Sequence, residues 1–250
     1  MLMTVIRQDD LIQSVADALQ YISYYHPKDF IDAMAEAYER EENPAAKDAI
    51  AQILINSRMC AIGHRPICQD TGIVTVFVHV GMNVRFEADM SLDDMINEGV
   101  RRAYLLPDNV LRASVLADPD GKRQNTRDNT PAVIHHKLVP GDTVEVHVAA
   151  KGGGSEAKSK FAMLNPSDSV VDWVLEQLPK MGAGWCRRAC WHRHRRYREK
   201  AMELAKESLL DPIDIQELQA RGASNRAEEL RLELYDKVNR TGIGARGLAV

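Results

Sequence analysis

Cysteine, aromatic side chains and long apolar runs are all scarce in this sequence. Its 250 residues include four cysteines, four phenylalanines and three tryptophans, and aromatics reach only 6%. Four cysteines (Cys60, Cys68, Cys186, Cys190) are too few for a disulfide scaffold at this length. With no export signal, they read as reduced thiols, catalytic groups or metal ligands. No apolar run approaches the roughly 20 residues that cross a bilayer. The opening stretch MLMTVIRQDDLIQSV has no apolar h-region and carries two early aspartates, so it is not a secretory leader. A soluble, cytoplasmic chain is expected. What is abundant is ordinary: 45% hydrophobic and 27% charged residues exclude a disordered chain, a collagen-like chain and a coiled-coil rod.

A uniform charge of one sign is also missing. Lysine and arginine total 32 against 36 acidic residues, for a net −4. The block RRACWHRHRRYR, Arg187–Arg198, holds six of those 32 cations and no acid, leaving 26 against 36 elsewhere. The bulk of the chain is therefore acidic and unlike a nucleic-acid binder. The block needs a separate explanation.

Periodicity divides the chain into three stretches. Leu11, Ile12, Val15, Leu19 and Ile22 form a helical stripe from Asp9 to about Tyr24, which HisPro at 26–27 ends. Helices follow over 29–40 and 44–60, the latter opened by Pro44 after Asn43. The period then changes: GIVTVFVHV (72–80) is β-branched and reads as a buried strand. Ser91 and Asp94 resemble a capping box for a helix to Tyr104. Residues 132–138 and 143–150 flank VPGD and are expected to form a hairpin or strand pair. Helices return at 165–177, 199–210, 214–221 and 225–239, with Gly222 and Gly242 as stops. The expectation is an α+β fold in one domain over 1–250, with helix-rich ends around a central mixed sheet.

Three segments are denser in chemistry than packing requires. GHRPICQDTG (63–72) puts a thiol, a carboxamide, a carboxylate and cations directly before the buried strand, where sites are common. A polar turn with a buried cysteine is the alternative. AAKGGGSEAKSK (149–160) follows a strand with three glycines whose amides can approach an anion, and Lys151, Lys158 and Lys160 add charge. It matches neither the P-loop nor GxGxxG spacing, and a flexible exposed turn is the alternative. MGAGWC (181–186) brings backbone close to something beside Cys186, or else caps a helix. Arg112 is a lone arginine, either a carboxylate clamp or a surface residue. His135 and His136 share a strand, so their rings face opposite sides and do not both serve one site.

Taken together, the segments NSRMCA (56–61), RPICQDTGIV (65–74), DNTPAVIH (128–135), AAKGGGSE (149–156), AMLNPSDS (162–169), MGAGWC (181–186) and EELRLELY (228–235) resemble the class I, iron–sulfur-dependent fumarate hydratases and the related tartrate dehydratase α chains. The likeness runs from about Asp10 to Gly247 and breaks at the arginine block. It implies a [4Fe–4S] cluster held by three cysteine thiolates, with Cys68 and Cys186 matching two of them. The iron left open acts as a Lewis acid on a hydroxyl. Gln69 and Asp70 match substrate-contacting positions, and Asp70 suits acid–base work. Arg112, Gly152, Gly153 and Gly154 match positions that hold substrate carboxylates. The implied activity is the hydration of fumarate to L-malate, with tartrate dehydration or a non-catalytic fragment as alternatives. The implied partners are a small dicarboxylate and either a second copy or a separate or fused C-terminal β domain, with no nucleic acid and no membrane.

Two departures from the family stand out. After Cys186 the family continues with a glycine-rich PPGMLGIGIGGTA-type run, where this chain has Arg187–Arg198 before Glu199–Lys200 resumes the pattern. A GC-rich coding run read one base out of frame yields this arginine block, so a local frameshift is the expected explanation. An arginine-rich nucleic-acid patch with Trp191 and Tyr197 for stacking is the competing one. The likeness also ends at GIGARGLAV, where the family continues toward a third cluster cysteine, and the chain is expected to stop in mid-fold.

Overall fold

In the computed structural model, residues 4–181 and 197–241 are described. The MGAGWC segment beyond Met181, including Cys186, nearly all of the arginine block, Gly242 and the GIGARGLAV tail lie outside them. In chain order the elements are β1 (Thr4–Arg7), α1 (Gln8–Tyr24), α2 (Lys28–Arg40), α3 (Pro44–Gly63), β2 (Ile73–Gly81), β3 (Val84–Glu87), α4 (Leu92–Tyr104), β4 (Leu116–Ala117), β5 (Gln124–Asn125), β6 (Val133–Val139) and β7 (Val144–Lys151). Then come α5 (Gly153–Glu156), α6 (Val170–Met181), α7 (Arg198–Glu207) with a 3₁₀ turn to Leu210, α8 (Ile215–Arg221) and α9 (Arg226–Asn239). This is the α+β arrangement that the sequence implies. The elements fall into two compact units: residues 1–26 with 57–153, and residues 27–56 with 154–250.

The first unit is built on a three-stranded sheet in the order β6-β2-β7. β2 runs parallel to β6, with Thr75 opposite Val133, and antiparallel to β7, with Val76 opposite Val148. This corrects the expected hairpin, because β6 and β7 do not pair with each other. Val74, Val76 and Val78 on one face and Thr75 and Phe77 on the other are buried, so β2 takes the central place. The even-numbered face of β2 packs against Leu11, Ile12, Val15 and Leu19 of α1 and Met95, Ile96 and Val100 of α4. Ser91 caps α4 by accepting the Asp94 amide at 3.1 Å, as its spacing implied.

β1 and β3 form a separate parallel pair, Thr4 opposite Val84, in two segments where the sequence pattern marks no strand. Four residues with alternating burial present too little pattern to distinguish from a helix approach. His135 stacks on Phe77 at 4.8 Å, while His136 meets the Asp93 carboxylate at 2.7 Å. The two rings thus turn to opposite faces of the sheet.

The second unit is helical. Val171, Val174 and Leu178 of α6 bury against Leu230 and Leu234 of α9. α6 begins at Val170 rather than at 165, because 165–168 close a turn: the Asn165 amide donates to the Asp168 carboxylate at 2.7 Å. Asn43 accepts the amides of Ala45 and Ala46 and so opens α3 around Pro44. Gly222 ends α8 at φ +79, a left-handed value that glycine takes without strain. Among the described residues, no helix is long and apolar enough to cross a membrane.

Candidate functional site

The segment 64–72 connects α3 to β2 and is tied down at several points within the first unit. The Ile67 amide donates to the Ser23 carbonyl at the end of α1, at 2.8 Å. The Thr71 hydroxyl donates to the Arg112 carbonyl. Tyr104, 1% exposed at the end of α4, donates its hydroxyl to the carbonyls of Thr71 (2.9 Å) and Gly72 (3.2 Å). Asn129, fully buried, donates to the Gly72 carbonyl at 2.9 Å and accepts the Ser114 amide at 2.7 Å. Four chain segments distant in sequence therefore hold this loop, and two of them, through Tyr104 and Asn129, meet at the Thr71 and Gly72 carbonyls. Such saturation of buried carbonyls holds a loop in one conformation.

Glycine is required twice here. Gly72 has φ +90, and a Cβ there would lie 2.6 Å from the Ala150 carbonyl carbon. At Gly152 a Cβ would lie 2.6 Å from Asp70 Oδ2. The first glycine of the triplet is thus the seat on which the Asp70 carboxylate rests. A Cβ on Gly153 or on Gly154 meets nothing within 4 Å among the described residues. Packing among the described residues does not explain why those two positions lack side chains.

Cys68 is exposed, and its thiol donates to Gln69 Oε1 at 3.1 Å. Cys60 differs. It is buried, and its thiol turns inward to the Pro66 carbonyl at 3.6 Å. Of the two described thiols, Cys68 suits a soft-metal or cluster donor, whereas Cys60 is a packing residue. Asp70 is half-buried and Arg112 exposed. Burial pushes the Tyr104 phenol up to about 12, and the Asp70 carboxylate beside it adds to the effect.

The structure brings Cys68, Gln69, Asp70, Gly152 and, through its carbonyl, Arg112 to one end of the β6-β2-β7 sheet. Gly153 ends the first unit and Gly154 begins the second. Cys186 lies outside the described residues. Sequence reasoning missed the supports, Ser23, Tyr104 and Asn129. DNT entered only as part of the family likeness and AYL carries no signal, since Tyr104 and Asn129 reach the Gly72 carbonyl across 32 and 57 positions. The buried Thr75 hydroxyl, without a partner among the described residues, was missed as well.

A thiol, a carboxylate and a glycine-rich strand end are thus gathered at one end of the sheet. The family model for fumarate hydratase (Fumerase) matches residues 12–249. A protein of Methanocaldococcus jannaschii named as an L(+)-tartrate dehydratase subunit alpha is 30% identical, over 94% of this chain and 82% of its own. The L(+)-tartrate dehydratase subunit alpha of Escherichia coli O157:H7 is 28% identical, over 95% and 78%. The one from Shigella sonnei is 27% identical, over 95% and 78%. With a family match that runs through nearly its whole length, this chain belongs to the fumarate hydratase (Fumerase) family of hydro-lyases.

Proposed function

We propose that this chain is the α-type part of an iron–sulfur hydro-lyase that interconverts fumarate and L-malate. The observation that carries the reading is the Asp70 carboxylate, seated on Gly152 beside the exposed Cys68 thiol. Both compact units are read as parts of one hydro-lyase α domain. Cys68 is the described residue that would hold a [4Fe–4S] cluster, with Cys186 as the second thiolate. When bound, such a cluster supplies an open iron as a Lewis acid for a hydroxyl oxygen.

The remaining chemistry falls to side chains of this protein. Dehydrating a 2-hydroxydicarboxylate removes hydroxide from one carbon and a proton from its neighbour. Asp70 is placed to receive or return a proton at its carboxylate, within a loop too firmly tied to swing away. Arg112 can grip one substrate carboxylate through its planar fork. The Gly152 and Gly153 amides, with Gly154 following in sequence, can donate to the other carboxylate. A Cβ on Gly153 would meet nothing within 4 Å among the described residues, which favours this role. Gln69, hydrogen-bonded to Cys68, orients the thiol and offers its amide nitrogen to substrate.

L(+)-tartrate is the second reading, favoured by the names of the matched relatives, which are α subunits. Those names also support a separate β-type partner subunit, and the reading includes a cytoplasmic setting, where thiols stay reduced.

The test is anaerobic reconstitution of the full chain with a family β subunit, iron and sulfide. The products measured are fumarate from L-malate and oxaloacetate from L(+)-tartrate. Asp70→Asn is expected to lower kcat by about 10²–10⁴-fold while leaving the cluster absorbance intact, and Cys68→Ser to abolish that absorbance. An assembled brown enzyme that turns over neither diacid would sink the proposal, as would an Asp70→Asn enzyme with full activity.

A further inference from the structure

The odd-numbered face of the sheet carries a group that the hydro-lyase reading does not use. His79 of β2 lies opposite Glu145 of β7, and His147 is two residues further along the same strand, so all three side chains share one face. Glu145 Oε2 is 3.6 Å from His79 Nδ1 and 3.7 Å from His147 Nε2. The two imidazole centroids are 5.4 Å apart, and one donor atom from each residue falls within 4.8 Å of the other two. Among the described residues this is the group of histidine, cysteine and carboxylate side chains that converges in this way.

The spacing is informative. At 3.6–3.7 Å the contacts are too long for good hydrogen bonds. Two donors bound at about 2.1 Å to one tetrahedral ion, however, lie about 3.4 Å apart. Small rotations of two rings would close the difference. Two imidazoles and one carboxylate suit zinc-like borderline cations rather than calcium or magnesium, which prefer oxygen. His79 is well covered, with 18% of its side chain exposed, whereas Glu145 and His147 stand more open at 66% and 45%. An ion there would keep open coordination positions toward water. Lys137 of β6, opposite His79, shares the face, but its side chain is exposed and free to extend into solvent. The site is separate from the Cys68 end of the sheet: six residues of extended strand between Ile73 and His79 span about 20 Å.

We propose that His79, Glu145 and His147 form a binding site for a zinc-class divalent cation, which clamps β2 to β7 at the end of the sheet remote from Asp70.

The test titrates the full chain with Co²⁺ alone and reads visible absorption. Ligation by nitrogen and oxygen gives d–d bands without the near-ultraviolet sulfur-to-cobalt charge transfer that cysteine ligation adds. His79→Ala and His147→Ala are each expected to weaken this component by on the order of 100-fold, since losing even an outer-shell partner of a metal ligand typically costs 10–100-fold. Zn²⁺ should displace the cobalt and raise the melting temperature of the parent chain but not of the variants. Glu145→Gln, a conservative change on an exposed side chain, guards against misfolding and should weaken binding in the same sense. Sulfur-free bands that survive in all three variants, or that never appear in the parent, would overturn the proposal.

Discussion

Asp70 and Tyr104 show how a single side chain sets the chemistry of the loop. Asp70 supplies the charge, and Tyr104 holds the two carbonyls that follow it. Because burial and the nearby carboxylate raise the Tyr104 phenol to about 12, the folded chain keeps its proton where the unfolded chain, with its usual value of 10.0, releases it. The linkage sign follows. This contribution is fully present below pH 10 and is lost as the pH climbs toward 12, amounting to about 2–3 kcal/mol across the window. Urea unfolding measured at pH 9 and pH 11 (roughly one unit either side of the usual phenol value) should show the decline, and Tyr104→Phe should remove it. Tyr104→Phe should itself cost about 1–2 kcal/mol at neutral pH, since it takes the hydroxyl donor from the Thr71 carbonyl and leaves the Gly72 carbonyl to Asn129 alone. A variant whose alkaline stability curve matches the parent would show that Tyr104 is not the responsible group.

For the elements, caps and stripes were legible in the chain, while strand pairing was not. The Ser91 cap, the Asn43–Pro44 start, the α1 stripe and the Gly222 stop each depend on residues within about four positions, so local pattern suffices. Ser91→Ala should therefore cost about 1 kcal/mol of stability, measured as a lower urea midpoint at an unchanged slope. A change in slope would mean that more than the cap was lost. By contrast, β6 and β7 look like a hairpin because VPGD joins them, yet β2 lies between them. The local turn signal was overridden by the need to cover both edges of an almost wholly apolar strand. The β1–β3 pair links positions 80 apart and left no mark in either segment alone.

For the whole molecule, the family model matches residues 12–249, a span that includes the arginine block at 187–198. Sequencing the gene across codons 186–199 is expected to show a shifted frame whose repair restores a glycine-rich run. A clean, unshifted read would leave the arginines as genuine residues. On the proposed hydro-lyase reading, Cys68 and Cys186 supply two of the cluster's thiolates.

The sequence by itself determined the family and the α+β class and marked Cys68–Gln69–Asp70 as the candidate site, because contiguous residue types carry those signals. It also marked the glycine triplet, though not the reason for its first member. Only tertiary structure decided that Gly152 seats Asp70, that Tyr104 and Asn129 brace the loop, and that His79 meets Glu145 and His147. The physical reason is the same in each case. Those relations are made by contacts between residues far apart in the chain, and they exist only once β2 has taken its place between its two neighbours.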